Sequence, residues 1–179
     1  MPPNHPDLTR GVKPWTHADL VVKGARWLAR ARDCGVVATE VSLSFGEIAD
    51  VIGWHGNRSC VIECKTTRPD FNADTKKTFR AVTETGMGVT RYYLAPARLL
   101  FVDELPEKWG LLEIYPSGII RCRRASGMFD ASRATEISVL LSILRRLPAE
   151  IQGVSIRHYT IETKATATIG IGIPLEINT

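Results

Sequence analysis

Asp50, Glu63 and Lys65 are the residues whose types and spacing best suit metal-assisted chemistry. They lie on either side of Gly56-Asn57, a good two-residue hairpin loop, because glycine accepts the positive backbone angle of a type II′ turn. Counting outward from that loop places Asp50 opposite Glu63, and directly opposed residues share a face of the sheet. Strand alternation then puts Lys65 on the same face. The predicted hairpin therefore gathers two carboxylates and an ammonium.

Charged groups at the end of an apolar strand need a reason, because desolvating unpaired carboxylates costs several kcal/mol. Asp50 and Glu63, helped by the backbone carbonyl of Cys64, suit Mg²⁺, which prefers hard oxygen ligands, and Mn²⁺ would be a substitute. Lys65 would then be a positive charge aimed at a phosphate oxygen or an attacking water. The alternative is a surface ion pair, since Asp followed by Glu-x-Lys is a loose pattern.

The length of 179 residues predicts one domain with a substantial core. An apolar fraction of 44% and a charged fraction of 23% are typical of soluble globular proteins, and no run is long enough to span a membrane. The first residues lack the apolar centre of a signal peptide, so we expect a cytoplasmic protein with no membrane partner. The four cysteines show no Cys-x-x-Cys spacing, which favours free buried thiols over zinc ligands or disulfides.

The formal net charge of +4 is compatible with a nucleic-acid partner but does not require one. Basic residues form two groups along the chain, which are Lys76, Lys77 and Arg80, and Arg121, Arg123 and Arg124. A solvated charged face is the default interpretation of either group. The first group follows the hairpin closely, and its members are the candidates for nucleic-acid binding through the phosphate backbone.

The elements before the hairpin can be placed from local signals. Residues 1–14, rich in proline and polar residues, predict a flexible amino-terminal arm. A helix is expected to begin at His17, with Thr16 as its cap. Residues 36–41 form the expected first strand, and Glu40 lies near its end. Glu40 is either a third acidic group, which holds a second cation or orients water, or the point where the strand reaches solvent.

The elements after the hairpin predict a mixed sheet. Residues 66–74 are expected to form a turn that leads into a helix ending at about Thr85. Residues 89–95 form a strong strand, and the helical crossover before it implies a parallel neighbour. A second hairpin is predicted over residues 111–124. An amphipathic helix follows, with a core face formed by Ile137, Leu140, Leu141 and Leu144.

The chain thus divides into the arm, one α/β domain over residues 15–150, and a β-rich carboxyl-terminal extension over residues 151–179. The extension is rich in threonine and β-branched residues, with Gly170 and Gly172 interrupting it. It is either an additional hairpin or a strand lent to another subunit, and the second case would produce a homo-oligomer.

The order helix, strand, acidic hairpin, helix and strand resembles the PD-(D/E)XK nuclease superfamily. Asp50 matches its Asp, and Glu63-Cys64-Lys65 matches its Glu-x-Lys. Within that superfamily the chain is similar to the MmcB-like DNA-repair nucleases over roughly residues 20–125. The landmarks that carry this likeness are Glu40-Val41, Ala49-Asp50-Val51, Glu63-x-Lys65-Thr66-Thr67, Asp70-Phe71-x-Ala73-Asp74-x-Lys76, Tyr92-Tyr93-x-Ala95-Pro96 and Pro106-Glu107-x-x-Gly110-Leu111.

The resemblance implies a restriction-endonuclease-like core of order αβββαβ, with a mixed β-sheet flanked by helices. It implies that Asp50 and Glu63 hold Mg²⁺, with the Cys64 carbonyl as a further ligand. Lys65 would position or help deprotonate the attacking water, and Glu40 would complete a second metal site.

The expected activity is Mg²⁺-dependent hydrolysis of DNA phosphodiester bonds in repair or DNA processing, with Lys76, Lys77 and Arg80 holding the flanking backbone. A rival from another class is a DNA-binding or assembly module of the same fold that cuts nothing. A third possibility is a restriction-type endonuclease, although no base-reading segment is evident in the sequence.

Overall fold

The structure is a computed structural model that describes residues 14–41, 49–74 and 86–145. Its elements are α1 (His17–Ala31), β1 (Val36–Thr39), β2 (Val51–His55), β3 (Arg58–Cys64), α2 (Arg68–Asp74), β4 (Thr90–Pro96), a 3-10 turn (Val102–Glu104), β5 (Gly110–Ile114), β6 (Ile120–Arg124) and α3 (Arg133–Leu144). The predicted order αβββαβ is therefore present from α1 to β4, and the predicted second hairpin and final helix follow it.

Six strands form one sheet whose spatial order is the order of the chain, β1 to β6. The β3–β4 and β4–β5 pairs are parallel, and the other three are antiparallel. The predicted mixed sheet, with a parallel neighbour after the helical crossover, is confirmed. Because β3, β4 and β5 run in the same direction, all three end at one edge of the sheet, named here the carboxyl edge.

The hairpin between β2 and β3 has the predicted register. His55 pairs with Arg58 across the loop, and Val51 pairs with Ile62 at the far end. Gly56 has a φ of 55°, a positive value such as the predicted hairpin turn requires at this position. One further step of the same register brings Asp50 opposite Glu63 at the carboxyl edge.

Helix α1 covers one face of the sheet. Thr16 caps it as predicted: its hydroxyl accepts from the Asp19 N–H at 3.1 Å, and the Asp19 carboxylate accepts from the Thr16 N–H. Leu20 and Leu28 are fully buried against Ile62 and other apolar side chains of the sheet. The apolar stripe at helical spacing therefore anchors α1, whose first turn lies at the carboxyl edge.

The opposite face is covered by α2, α3 and the segment that connects β4 to β5. Val139 and Ile143 of α3 pack over the first three strands. Farther along the sheet, Tyr93 stacks on Trp109 with ring centroids 4.5 Å apart, and Phe71 of α2 meets Tyr93 edge to face. The result is a three-layer α/β/α arrangement in which α2 holds its residues over the end of β3.

The prediction that residues 66–74 form a turn was wrong, because a helix already begins at Arg68. The Thr67 hydroxyl accepts from the Asp70 N–H at 3.3 Å, which caps the helix. Pro69 belongs to the first helical turn, where the missing N–H has no intrahelical partner to lose. The consequence is functional, since the helix directs its acidic residues toward the sheet.

The predicted core face of α3 was correct only at Leu140, which is partly buried and packs against the core. Ile137, Leu141 and Leu144 are 55%, 46% and 52% exposed, whereas Val139 and Ile143 are buried. The helix is apolar on both faces, so periodicity alone does not select the inner one. The inner face of the helix is instead selected by polar contacts, which the hydrophobic periodicity does not reveal.

The remaining predictions concern the cysteines, membrane-spanning helices and the two ends of the chain. Cys34, Cys60 and Cys64 are free and buried, but Cys122 is exposed on the outer strand β6, contrary to the expectation of buried thiols. Within the described part of the chain, no helix is long and apolar enough to cross a membrane. Nearly all of the predicted arm and the whole extension over 151–179 lie outside the described residues, so the oligomer inferred from the extension stays a prediction.

Candidate active site

The end of β3 places two charged side chains in the interior. Glu63 and Lys65 are 2% and 4% exposed, and the Lys65 Nζ lies 3.6 Å from the Glu63 Oε2. Both residues point to the face covered by α2, whereas Cys64 between them packs on the side of α1. Buried ions of this kind persist only when neighbouring groups compensate for lost hydration.

Helix α2 supplies two further carboxylates to the same lysine. The Lys65 Nζ lies 3.3 Å from the Asp74 Oδ1 and 3.9 Å from the Asp70 Oδ1. Asp74 is 1% exposed, and its second oxygen accepts from the Tyr93 hydroxyl at 2.9 Å. Sequence reasoning assigned no role to these acids. Their spacing of four residues, which places both on one face of a helix, was the available signal.

Asp50 lies at the start of β2, beside the same strand end. Its Oδ2 accepts from the Cys64 N–H at 2.7 Å, and its Oδ1 lies 3.5 Å from the His17 Nε2. Glu40 reaches the same imidazole, with its Oε1 3.8 Å from the Nε2, and the Glu40 N–H donates to the Asp50 carbonyl at 3.0 Å. The first residue of α1 therefore joins two acids, one directly after β1 and one directly before β2.

The sequence predicted His17 only as the first residue of a helix, yet its imidazole lies beside two acids of the site. Its pKa is raised, mainly by the hydrogen bond to Asp50, and burial opposes that effect. The charges of Asp50, Glu40 and Asp70 act in the same direction as the hydrogen bond. His17 is thus part of the electrostatic surroundings of Asp50 as well as the first residue of the helix.

The pKa of Lys65 reflects the charges that surround it. Burial lowers the pKa of this lysine, but the negative charges of Glu63, Asp74, Asp70 and Asp50 outweigh burial, and the pKa is raised overall. Five carboxylates surround the Lys65 ammonium and the adjacent His17 imidazole. We name them the acidic cluster: Glu40, Asp50, Glu63, Asp70 and Asp74. Among the residues that the structure describes, these carboxylates outnumber the ammonium and the imidazole at this point of the carboxyl edge.

The predicted catalytic residues Asp50, Glu63, Lys65 and Glu40 are therefore brought to one edge of the sheet. Cys64, predicted as a carbonyl ligand, contributes its N–H to Asp50, and its metal-binding role stays a prediction. The predicted nucleic-acid-binding residues Lys76, Lys77 and Arg80 lie outside the described residues.

The donor chemistry of the cluster can be compared with what a metal ion requires. Within residues 14–41, 49–74 and 86–145, no three or more His, Cys, Asp or Glu side chains are arranged to hold a metal by themselves. Mg²⁺ needs fewer, because it is commonly held by one or two carboxylates and completes its shell with water and phosphate oxygens. Asp50 and Glu63 fit that requirement in type and charge.

A cavity of about 400 Å³ lies at the opposite end of β3, lined by residues that include Cys34, Cys60, Arg32 and Arg58. Burial raises the pKa of the Cys34 thiol to about 12 and that of the Cys60 thiol to about 11. Both thiols therefore stay protonated and poorly nucleophilic at neutral pH. This cavity and the acidic cluster lie at different ends of the strand, and the ionisable side chains that suit metal-assisted chemistry are at the acidic end.

No protein-family model and no curated protein matches this chain. Among solved structures, the chain is similar to a protein of unknown function from Silicibacter pomeroyi, with 25% sequence identity and a TM-score of 0.51. The similarity covers 75% of this chain and 94% of the other. The two proteins share an α/β arrangement over most of their length, and the description of the neighbour carries no activity.

Proposed function

We propose that this protein is a Mg²⁺-dependent nuclease that hydrolyses DNA phosphodiester bonds in repair or DNA processing. The main support is the acidic cluster around Lys65 at the end of β3, in the element order that the PD-(D/E)XK likeness implies. A structural ion pair needs one carboxylate for a lysine, whereas this lysine has Glu63, Asp70 and Asp74 within 4 Å. Counted over the described residues, more carboxylates than one ion pair requires favour a site that accepts a further cation.

Each residue of the proposed site would have a definable task. Asp50 and Glu63 would hold Mg²⁺, with the Cys64 carbonyl as a further ligand and Glu40 available for a second ion. When bound, Mg²⁺ supplies a more acidic coordinated water and shields charge on the scissile phosphate.

The protein side chains would do the positioning. Lys65 would present its ammonium to a phosphate oxygen or to the attacking water, and Asp74 would hold that ammonium in place. The Cys64 N–H and His17 would orient the Asp50 carboxylate. Tyr93 would orient Asp74 in turn, through its hydroxyl. The site would thus rest on helices and on strand ends, since Glu40, Asp50 and Lys65 each lie one residue beyond a strand.

Purified protein incubated with plasmid, linear and single-stranded DNA in Mg²⁺ or Mn²⁺ tests this function. We expect cleavage by the unaltered protein and a loss of about 100-fold or more in Asp50→Ala and in Lys65→Ala. Asp33→Asn, which changes an exposed acid at the other end of the sheet, is the matched control and should cleave normally. Activity retained in both site variants would reject this site.

The alternative of a non-cutting DNA-binding or assembly module has one observation in its favour. Both oxygens of Asp50 already have partners, the Cys64 N–H and the His17 imidazole. Calorimetry with Mn²⁺ separates the two functions, because a nuclease site binds the ion and loses that binding in Asp50→Ala. A discrete pattern of plasmid fragments would instead indicate a restriction-type endonuclease.

A further inference from the structure

The carboxyl edge continues from the acidic cluster toward β6. Glu113 on β5 pairs with Ala95 on β4 and with Arg121 on β6. The Lys65 N–H donates to the Leu94 carbonyl at 2.9 Å, and continuing the β3–β4 register by one residue places Lys65 beside Ala95. Lys65, Ala95, Glu113 and Arg121 therefore form one row across four strands. Three strand spacings separate its ends, a distance of about 14 Å.

Three arginines gather at the far end of that row, and they are named here the arginine edge: Arg98, Arg121 and Arg123. All three are exposed, whereas Glu113 is buried among them. The Arg123 Nε lies 3.5 Å from the Glu113 Oε2, and the Arg98 N–H donates to the Glu113 Oε1 at 3.1 Å. Arg98 makes this contact through its backbone, whereas Arg123 makes it through its guanidinium. Among the described residues, one carboxylate here accompanies three arginines, so positive charge exceeds negative charge, opposite in sign to the acidic cluster.

The local contacts hold this edge in shape while leaving the guanidinium groups accessible. Tyr115 donates its hydroxyl to the Glu113 Oε2 at 3.0 Å, and the Arg121 guanidinium lies 5.2 Å from the Tyr115 ring centroid. Arg124, from the same run in the sequence, behaves differently. Its guanidinium donates to the carbonyls of Trp109, Val102 and Pro106, and it therefore fastens β6 to the preceding loop. The run thus separates into one structural arginine and two surface arginines.

We propose that the arginine edge binds the phosphate backbone of the nucleic acid on one side of the bond that is cut at Lys65. This inference rests on the proposed function. Arginine suits the task because its planar fork can bind two phosphate oxygens at once, and such contacts are independent of base sequence. A DNA strand advances about 3.4 Å per nucleotide along its axis, so 14 Å corresponds to about four nucleotides between the cut and the contact.

Binding measurements with a double variant, Arg121→Gln with Arg123→Gln, test this directly. The assay uses a fluorescent duplex, EDTA and the Asp50→Asn background, which prevent cleavage, over about 50–300 mM salt. Losing two phosphate contacts should reduce the slope of log affinity against log salt by about 2. The matched control, Arg26→Gln with Arg30→Gln, changes two exposed arginines of α1 and should leave the slope unchanged.

A charge-preserving variant distinguishes the loss of charge from a folding defect. Arg121→Lys with Arg123→Lys should keep most of the salt slope, because lysine also pairs with phosphate, though without the fork. An unchanged slope in the glutamine variant would overturn the arginine edge. An equal loss in the lysine variant would overturn it as well, because the effect would then come from local structure rather than from charge.

Substrate length supplies the second readout. Cleavage by the unaltered protein should fall sharply when duplexes are trimmed to fewer than about four nucleotides on one side of the cut, and the glutamine variant should lose that dependence. If no DNA is cut but the salt slope falls, the nuclease function fails and the binding surface stands. If DNA is cut with an unchanged slope, the reverse holds.

Discussion

Two buried glutamates illustrate how differently this fold treats negative charge. Glu136 on α3 receives donors: its Oε1 accepts from the Ser59 hydroxyl at 2.6 Å and the Gly88 N–H at 3.0 Å, and its Oε2 pairs with Arg133 at 3.1 Å. Glu63 instead shares Lys65 with acids from α2 and with Asp50. The first arrangement brings donors to one acid, and the second brings acids to one cation. The first arrangement is typical of a contact that stabilises packing between elements, and the second is typical of a ligand-binding site.

Exchanging each glutamate for glutamine should separate stability from activity, with the largest effect at Glu63. We expect Glu63→Gln to lose about 100-fold in DNA cleavage, because it removes a metal-ligand charge. Its free energy of unfolding in EDTA should change little, since removing one charge also relieves repulsion within the acidic cluster. Glu136→Gln should lose about 1.5 kcal/mol of stability, because it removes charged hydrogen bonds, and should cleave normally.

Urea unfolding and plasmid cleavage measured on the same preparations provide the comparison. The interpretation of the two glutamates fails if Glu136→Gln is the variant that abolishes cleavage, or if Glu63→Gln is the less stable of the pair.

Asp74 should show the next largest effect, since it belongs to the acidic cluster yet also supports it. We expect Asp74→Asn to reduce the free energy of unfolding by about 2 kcal/mol, because Asp74 joins two groups from different elements, the Lys65 ammonium and the buried Tyr93 hydroxyl. Asp33→Asn is the control: its side chain is 92% exposed, and asparagine tolerates the φ of 50° at that position, so the cost should stay below about 0.5 kcal/mol. Equal stability losses in chemical denaturation would contradict the role assigned to Asp74.

His17 should contribute a smaller, pH-dependent effect. Its pKa is raised in the folded protein above the ordinary histidine value of 6.5. Its pairing with Asp50 therefore stabilises the fold fully below that pH and ceases to do so as pH rises through the folded-state pKa. His17→Gln in EDTA should therefore be less stable than the unaltered protein at about pH 5.5, by less than about 1 kcal/mol because the imidazole is partly exposed, and equally stable at about pH 8.5.

Thermal and urea unfolding at the two pH values measure this difference. In the Asp50→Asn background the effect of His17→Gln should shrink, because Asp50 is the largest source of the shift. A stability difference that does not vary with pH would exclude the ion pair as its origin.

Local sequence signals predicted the elements correctly where all the residues that determine an element lie within a few positions of one another. Thr16 and Asp19 cap α1 by reaching only three residues, and Gly56-Asn57 sets the hairpin register through its own turn geometry. Local signals failed at Pro69, which was interpreted as a turn residue although a first helical turn accepts it. They failed again at α3, where Ile137 faces solvent because the contact between Glu136 and Ser59, far apart in the chain, selects the inner face.

Local geometry was sufficient to predict that Asp50 lies opposite Glu63 and that Lys65 shares their face, because a two-residue turn and strand alternation leave no other register. Asp70 and Asp74 share a helix face through their spacing, but they reach Lys65 only because α2 packs over the end of β3. The pairing of His17 with Asp50 and the position of the arginine edge depend on how α1 packs on the sheet and how parallel strands align. These last contacts join residues distant in the chain, so no local pattern encodes them.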